Sequence, residues 1–235
     1  MLDPAAVRAR LADVRERIAR AAARAGRDPS GIRLIAISKT FGAEAVRTAA
    51  HEGQVDFGEN KLQEAQQKRQ DLADLPLKWH LVGHLQSNKA RKAASEFDVI
   101  HSIDSVSLLQ KVDAAAAAIP RRIELLVQVD LSGEPTKHGA PEEELWPIFD
   151  AARRTTAVSV IGLMLLPPAA DDPQAARPWF RRLRALRDRL QGEGVSAGML
   201  AELSMGMSHD YEIAVEEGAT LVRVGTAIFG RRDPA

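Results

Sequence analysis

Short apolar, β-branched runs alternate with longer helical patterns along this chain, and few folds accommodate that rhythm. The runs are Arg33–Ser38, Val55–Gly58, Leu77–Val82, Val99–Ile103, Ile123–Val129, Val158–Met164, Ala201–Met205 and Leu221–Val224. Helical stretches separate them: Ala43–Glu52, Lys61–Ala73, Ser87–Glu96, Val106–Ala118, Glu142–Arg154, Gln174–Gln191 and Asp210–Glu217. An amphipathic helix within residues 1–27 precedes the first run. Asp3 stands as its N-cap, Pro4 at its first helical position and Gly26 as its stop. Strict alternation predicts a parallel sheet, because parallel neighbours need a crossover connection. Leu34-Ile35-Ala36-Ile37 and Leu125-Leu126-Val127 lack period-two alternation, as strands buried on both faces do. Eight such units in 235 residues favour an α/β fold closed into a single (β/α)8 TIM-type barrel with an extra N-terminal helix. An open doubly wound sheet is the alternative. No linker interrupts the pattern, so residues 1–235 read as one domain with the N-terminal helix packed on the barrel.

Composition removes several function classes. Lys plus Arg and Asp plus Glu are 32 each, so no sequence-wide basic field points to nucleic acid or a membrane surface. The chain has no cysteine, which excludes disulfides, thiolate catalysis and Cys-ligated metal. No apolar run is long enough to span a bilayer, and cytoplasm is the expected address.

Lys39 directly follows Leu34-Ile35-Ala36-Ile37-Ser38, at the carboxyl end of the first strand. Functional residues of such barrels gather at that end, and a neutral lysine amine there can attack a carbonyl to form a Schiff base. A lysine that merely reaches solvent where its strand ends is the plainer reading. Ser204-Met205-Gly206-Met207-Ser208 and Leu221-Val222-Arg223-Val224-Gly225-Thr226 end strands seven and eight. Barrels often bind phosphate there through loop amides. Gly206 and Gly225 would admit close approach of the backbone, and Ser204 and Thr226 would add hydroxyls. The alternative is two ordinary glycine turns with Ser208 as a helix cap. Arg223 sits within an apolar strand and needs a partner. That partner is either a ring nitrogen of a ligand or a carboxylate inside the barrel. His80 either lines the barrel mouth or is a satisfied core histidine. Asn60 either faces the site or caps the next helix.

These segments together carry a family signature. Ala36-Ile37-Ser38-Lys39-Thr40, Phe57-Gly58-Glu59-Asn60 with Gln63-Glu64, and the run Trp79 through Lys89 are joined by Ile100-His101-Ser102-Ile103-Asp104 and Gln128-Val129-Asp130. Lys137-His138-Gly139, Gly162-Leu163-Met164 and the run Leu203 through Gly230 complete it. The chain resembles the pyridoxal phosphate homeostasis protein family, whose barrel is similar to the N-terminal domain of alanine racemase. The resemblance implies pyridoxal 5′-phosphate (PLP) as cofactor, with Lys39 as its Schiff-base lysine. It implies a phosphate cradle of Ser204, Met205, Gly206, Gly225 and Thr226. It also implies Arg223 at the pyridine nitrogen, and Asn60, His80 and Met164 along the pocket. Phe41 and Gly42 follow Thr40 where many members carry a second lysine and a proline, and Asp130 replaces a usual asparagine. Lys137 remains as a candidate relay lysine, and the chain ends in Arg231, Arg232 and a short tail without a lysine cluster.

Racemases of this fold use a tyrosine from a second domain as the opposing acid or base. The only tyrosine here is Tyr211, expected in the first turn after the phosphate loop. The resemblance therefore implies a carrier or buffer of PLP in vitamin B6 and amino-acid homeostasis, without clear turnover. Apo-enzymes that use PLP are the implied recipients, and a monomer is the expected state. A PLP-dependent racemase and a cofactor-free Schiff-base aldolase are the competing readings.

Overall fold

Asp3 caps the first helix through its side chain, Oδ1 accepting the Ala5 N–H at 3.0 Å. This helix, α1 (Pro4–Arg24), ends just before Gly26, which takes φ +64°. The computed structural model describes residues 3–134 and 138–230. After α1 the elements alternate in chain order: β1 (Arg33–Ile37), α2 (Ala43–His51), β2 (Asp56–Glu59), α3 (Leu62–Asp71), β3 (Lys78–Leu81), α4 (Ala90–Glu96) and β4 (Val99–Ile103). There follow α5 (Val106–Ala116), β5 (Ile123–Val129), α6 (Glu142–Ala152), β6 (Val158–Leu165) and α7 (Arg177–Gly192). The last are β7 (Glu202–Met207), α8 (Tyr211–Glu216), β8 (Leu221–Val224) and α9 (Thr226–Phe229).

The eight strands form a closed barrel in sequence order. Each pairing is parallel, and β1 closes on β8 with Arg33 opposite Leu221 and Ala36 opposite Val224. The barrel is the α/β architecture that the alternation predicts, with α1 as the extra N-terminal helix. An open sheet is ruled out by the β1–β8 pairing.

Two apolar layers hold it. One lies between strands and helices and includes Val7, Leu11, Val14 and Ile18 of α1 with Phe180, Leu183, Leu186 and Leu190 of α7. Both sets follow the three-to-four residue spacing that puts side chains on one helix face. Burying each leucine- or isoleucine-sized side chain is worth about 1.5–3 kcal/mol. The second layer fills the lumen with Ile35, Ile37, Val99, Leu126, Met164 and Leu221. Helix α1 packs on α2, α8 and α9, and so covers the outside of the β8–β1 seam. Arg17 anchors it, its Nε donating to Glu212 Oε1 at 2.8 Å.

Three local expectations change. The helix expected over Gln174–Gln191 opens as a 3-10 turn, Pro173–Ala176, before α7 begins. Pro178 has no N–H to give to the carbonyl four residues back, so the α-ladder cannot extend through that turn. Ser87 and Asn88 likewise lie in a 3-10 turn and do not cap α4. Helix α9, which begins at Thr226, has no counterpart in the predicted set.

Gly162 marks a backbone crossing that cannot yield. A Cβ there would lie 2.0 Å from the Glu202 carbonyl oxygen of the neighbouring strand. Gly162→Ala is expected to lower stability by about 1–3 kcal/mol, as overpacking does. Gly192→Ala, where nothing lies within 4 Å, is the matched control and should hold or raise stability. Urea midpoints of the two variants make the comparison.

Candidate functional site

The carboxyl ends of all eight strands share one rim, and a cavity of about 370 Å³ opens there. Its wall carries the polar residues Lys39, Asn60, Ser208, His209, Arg223 and Thr226 with Gly225, and the apolar residues Ile37, Val82, Leu166 and Met207. The volume suits a small cofactor.

Lys39 is placed by the residues on either side of it. Ser38 extends the β1–β2 ladder, its N–H donating to Gly58 O at 3.0 Å. Its hydroxyl donates to Glu59 Oε1 at 2.6 Å, and its carbonyl accepts from Lys68 Nζ at 2.7 Å. Lys68 also donates to Glu59 Oε1 at 2.5 Å, so a buried ion pair between α3 and β2 grips Ser38 at two points. Burial pushes the Glu59 carboxyl up in pKa, against the pull of Lys68 and Ser38. On the other side, Thr40 takes φ +69°, a left-handed conformation costly for a β-branched residue. Its N–H donates to Glu64 Oε2 at 2.9 Å and its hydroxyl to Lys39 O at 2.5 Å. Those bonds hold the turn that exposes the Lys39 side chain at the rim.

One hydroxyl joins the ends of β7 and β8. Ser208 Oγ accepts the Gly225 N–H at 3.0 Å and the Ala227 N–H at 3.4 Å. Asp210 Oδ1 accepts the Met207 N–H at 2.6 Å and closes the β7 turn. Gly206, at φ +92°, permits this closure: a Cβ there would come within 2.5 Å of Ala214 Cβ.

Arg223 forms part of the cavity wall yet is only 3% exposed. Its Nη1 donates to Ser204 Oγ at 2.6 Å and its Nη2 to Leu165 O at 2.9 Å. No carboxylate pairs with it directly among the described residues; Asp210 acts on it only at a distance. Burial lowers its pKa to about 10, which leaves it protonated at neutral pH. Ser204 Oγ lies 2.9 Å from His101 Nδ1, His101 Nε2 lies 3.0 Å from His80 Nδ1, and His80 Nε2 lies 2.8 Å from Asp56 Oδ1.

The predicted site residues thus fall into three groups. Lys39, Asn60, Arg223, Gly225 and Thr226 meet in the cavity wall. His80 and Ser204 lie beneath it in the buried polar chain, and Met164 lies in the lumen cluster with Ile37. Met205 faces the outer core, and Gly206 packs on α8. Asn60 does not cap α3, whose first turn has no side-chain cap. Lys137 lies outside the described residues. Sequence reasoning gave no role to His101, although a histidine flanked by Ile100 and two residues before Ile103 in an apolar strand is itself a signal. It also treated Ser208 only as a possible cap. Tyr211 opens α8, is 1% exposed, and packs beneath the Arg17 guanidinium, whose centre is 5.6 Å from its ring.

A parallel barrel with a lysine after strand one and glycine turns after strands seven and eight defines a class. Residues 9–233 match the family model described as the alanine racemase N-terminal domain. A pyridoxal phosphate homeostasis protein of Aquifex aeolicus is 43% identical over 95% of this chain and 97% of its own length. One of Pseudomonas aeruginosa is 44% identical over 95% and 94%. PipY of Synechococcus elongatus, solved with PLP bound, is 40% identical and superposes with a TM-score of 0.84, covering 95% of this chain and all of that one. The chain belongs to the pyridoxal phosphate homeostasis protein family.

The buried histidines make stability depend on pH. Burial holds His80 below its ordinary pKa and, with the Arg223 cation nearby, His101 well below it. Both are therefore neutral in the fold, while the unfolded chain takes up protons below about pH 6.5. Stability should be level above that point and fall as pH drops below it, with a slope of at most about 2.7 kcal/mol per pH unit, the limit for two protons. Urea unfolding at pH 7.5, 6.5 and 5.5 checks this; a curve flat down to pH 5.5 would contradict it.

Proposed function

We propose that this protein binds PLP through the Lys39 amine and carries or buffers it, contributing to intracellular vitamin B6 and amino-acid homeostasis. The observation that carries the reading is the convergence of Lys39, Arg223 and the Ser208–Gly225–Thr226 turn on one cavity. The donor set suits the cofactor. An amine meets its aldehyde, a permanent cation meets its ring nitrogen, and hydroxyls with backbone amides meet its phosphate. When bound, PLP supplies an electrophilic carbon and an electron-withdrawing ring. Asn60 is suitably sited for the ring hydroxyl, while Met164 and His80 support the wall from within the lumen. Ser204, Met205 and Gly206 serve the cradle by shaping and bracing the β7 turn. The relative from Synechococcus elongatus, solved with PLP bound, supports PLP as the ligand.

A carrier role fits these residues better than a racemase role. Arg223 is a donor that stays charged, so it keeps a ring nitrogen unprotonated and weakens the ring as an electron sink. Tyr211, the residue type that serves racemases of this fold, is buried against α1 with its pKa raised to about 12 by desolvation. We place the chain's action in the cytoplasm, as one domain over residues 1–235 and as a monomer, with apo-enzymes that use PLP as recipients. No described helix is long and apolar enough to cross a membrane.

Purified protein incubated with PLP is expected to gain visible absorption that Lys39→Ala abolishes. A wild type that gains none would overturn the PLP reading and favour a cofactor-free Schiff-base aldolase. Loaded protein kept with L-alanine should leave optical rotation constant; steady racemisation would overturn the carrier. Transfer to an apo-enzyme should run faster than free dissociation allows.

A further inference from the structure

With both histidines neutral, the polar chain beneath the cavity has one consistent arrangement of protons. At one end, Arg223 has donors and no acceptor, so Ser204 Oγ must accept from it. At the other end, ionised Asp56 only accepts, so His80 Nε2 must carry the proton between them. His80 is fully enclosed, and burial, with Lys78 and Arg33 as further positive charges, lowers its pKa and favours the neutral ring. Its Nδ1 is then an acceptor, so His101 donates from Nε2. His101 is neutral for the same reasons, its Nδ1 accepts, and the Ser204 hydroxyl donates to it. Every bond in the series points the same way, from Arg223 toward Asp56. Aligned bonds in a low-dielectric interior polarise one another.

From this geometry we infer that Asp56, His80 and His101 are positioning residues for Arg223. They fix the Ser204 proton away from the guanidinium and so present it with a lone pair. Asp56 sits at the amino end of β2, on the far side of the lumen from the cavity rim, and is 17% exposed in its side chain. The relay therefore carries the effect of an acidic group at one end of the barrel to a cation at the other. The choice of Asp56 as terminus has a chemical reason. An asparagine could either accept from His80 or donate to it, and the series would lose its fixed direction. The link to ligand binding rests on the proposed PLP site; the proton arrangement does not.

Side-chain ¹⁵N NMR of histidine-labelled, PLP-free protein tests the arrangement directly. At pH 7.5 both His80 and His101 are expected as neutral Nε2–H tautomers. An Nδ1–H tautomer or an imidazolium at either position would overturn the inference. Asp56→Asn is then expected to give mixed tautomers at His80 and His101. It should also weaken PLP binding about tenfold, the scale of one hydrogen bond to a charged group, and shift the visible band of the bound cofactor. Asp56→Glu should restore the band. A variant that loses stability but keeps wild-type tautomers, affinity and band would show a merely structural role and overturn the inference. If Asp56→Asn does not fold, the wild-type tautomers still decide. If wild type takes up no PLP, the proposed function fails while the tautomer result stands.

Discussion

Closure of the parallel sheet is the constraint from which the rest of this molecule follows. Four register pairs between β1 and β8, from Arg33–Leu221 to Ala36–Val224, join the first strand to the last. Parallel direction puts every strand's carboxyl end on one rim, and closure makes the two ends of the sequence neighbours there. Lys39 and the Gly225 turn share a cavity for that reason alone. The turn is packed to match: a Cβ on Gly225 would lie 3.1 Å from the Ile37 carbonyl oxygen. The same closure encloses the lumen, where a polar series runs between Asp56 and Arg223.

Much of the fold is legible in the sequence because burial on both faces leaves a mark. Leu34-Ile35-Ala36-Ile37 has nothing polar to alternate with, since Ile35 fills the lumen while Leu34 and Ala36 meet the helices. Element ends are less legible, because hydrogen-bond geometry sets them and side-chain type does not. Strand β7 runs on to Met207, across Gly206, because the Asp210 carboxylate holds the Met207 amide in the turn. The onset of α7 is decided by the missing amide of Pro178, which a pattern of apolar spacing does not register.

The site divides in the same way. Lys39, Asn60 and Thr226 are polar residues at strand ends, where a reading by strand order can find them. Ser204 and His80 are polar residues inside strands, and the sequence offers a phosphate hydroxyl or an ordinary turn for the one and the barrel mouth or a core role for the other. Which one holds depends on a partner far along the chain: Arg223 for Ser204, and Asp56 with His101 for His80. Sequence spacing carries no trace of contacts made across a lumen. Arg223 shows the limit most clearly, since its protein partners are a hydroxyl and a backbone carbonyl, where the sequence offers a carboxylate or a ligand's ring nitrogen.

Helix α1 has a consequence for how the chain reaches this state. It precedes every barrel strand, whereas α8 and α9, which cover much of its apolar face, follow seven of them and all eight respectively. On a ribosome, Val7, Leu11, Val14 and Ile18 therefore wait through nearly all of the barrel's synthesis for their permanent cover. Contacts so remote in sequence slow folding and leave sticky surface open in the interval. That face therefore stays open until β8 pairs with β1 and the seam beneath α1 is shut.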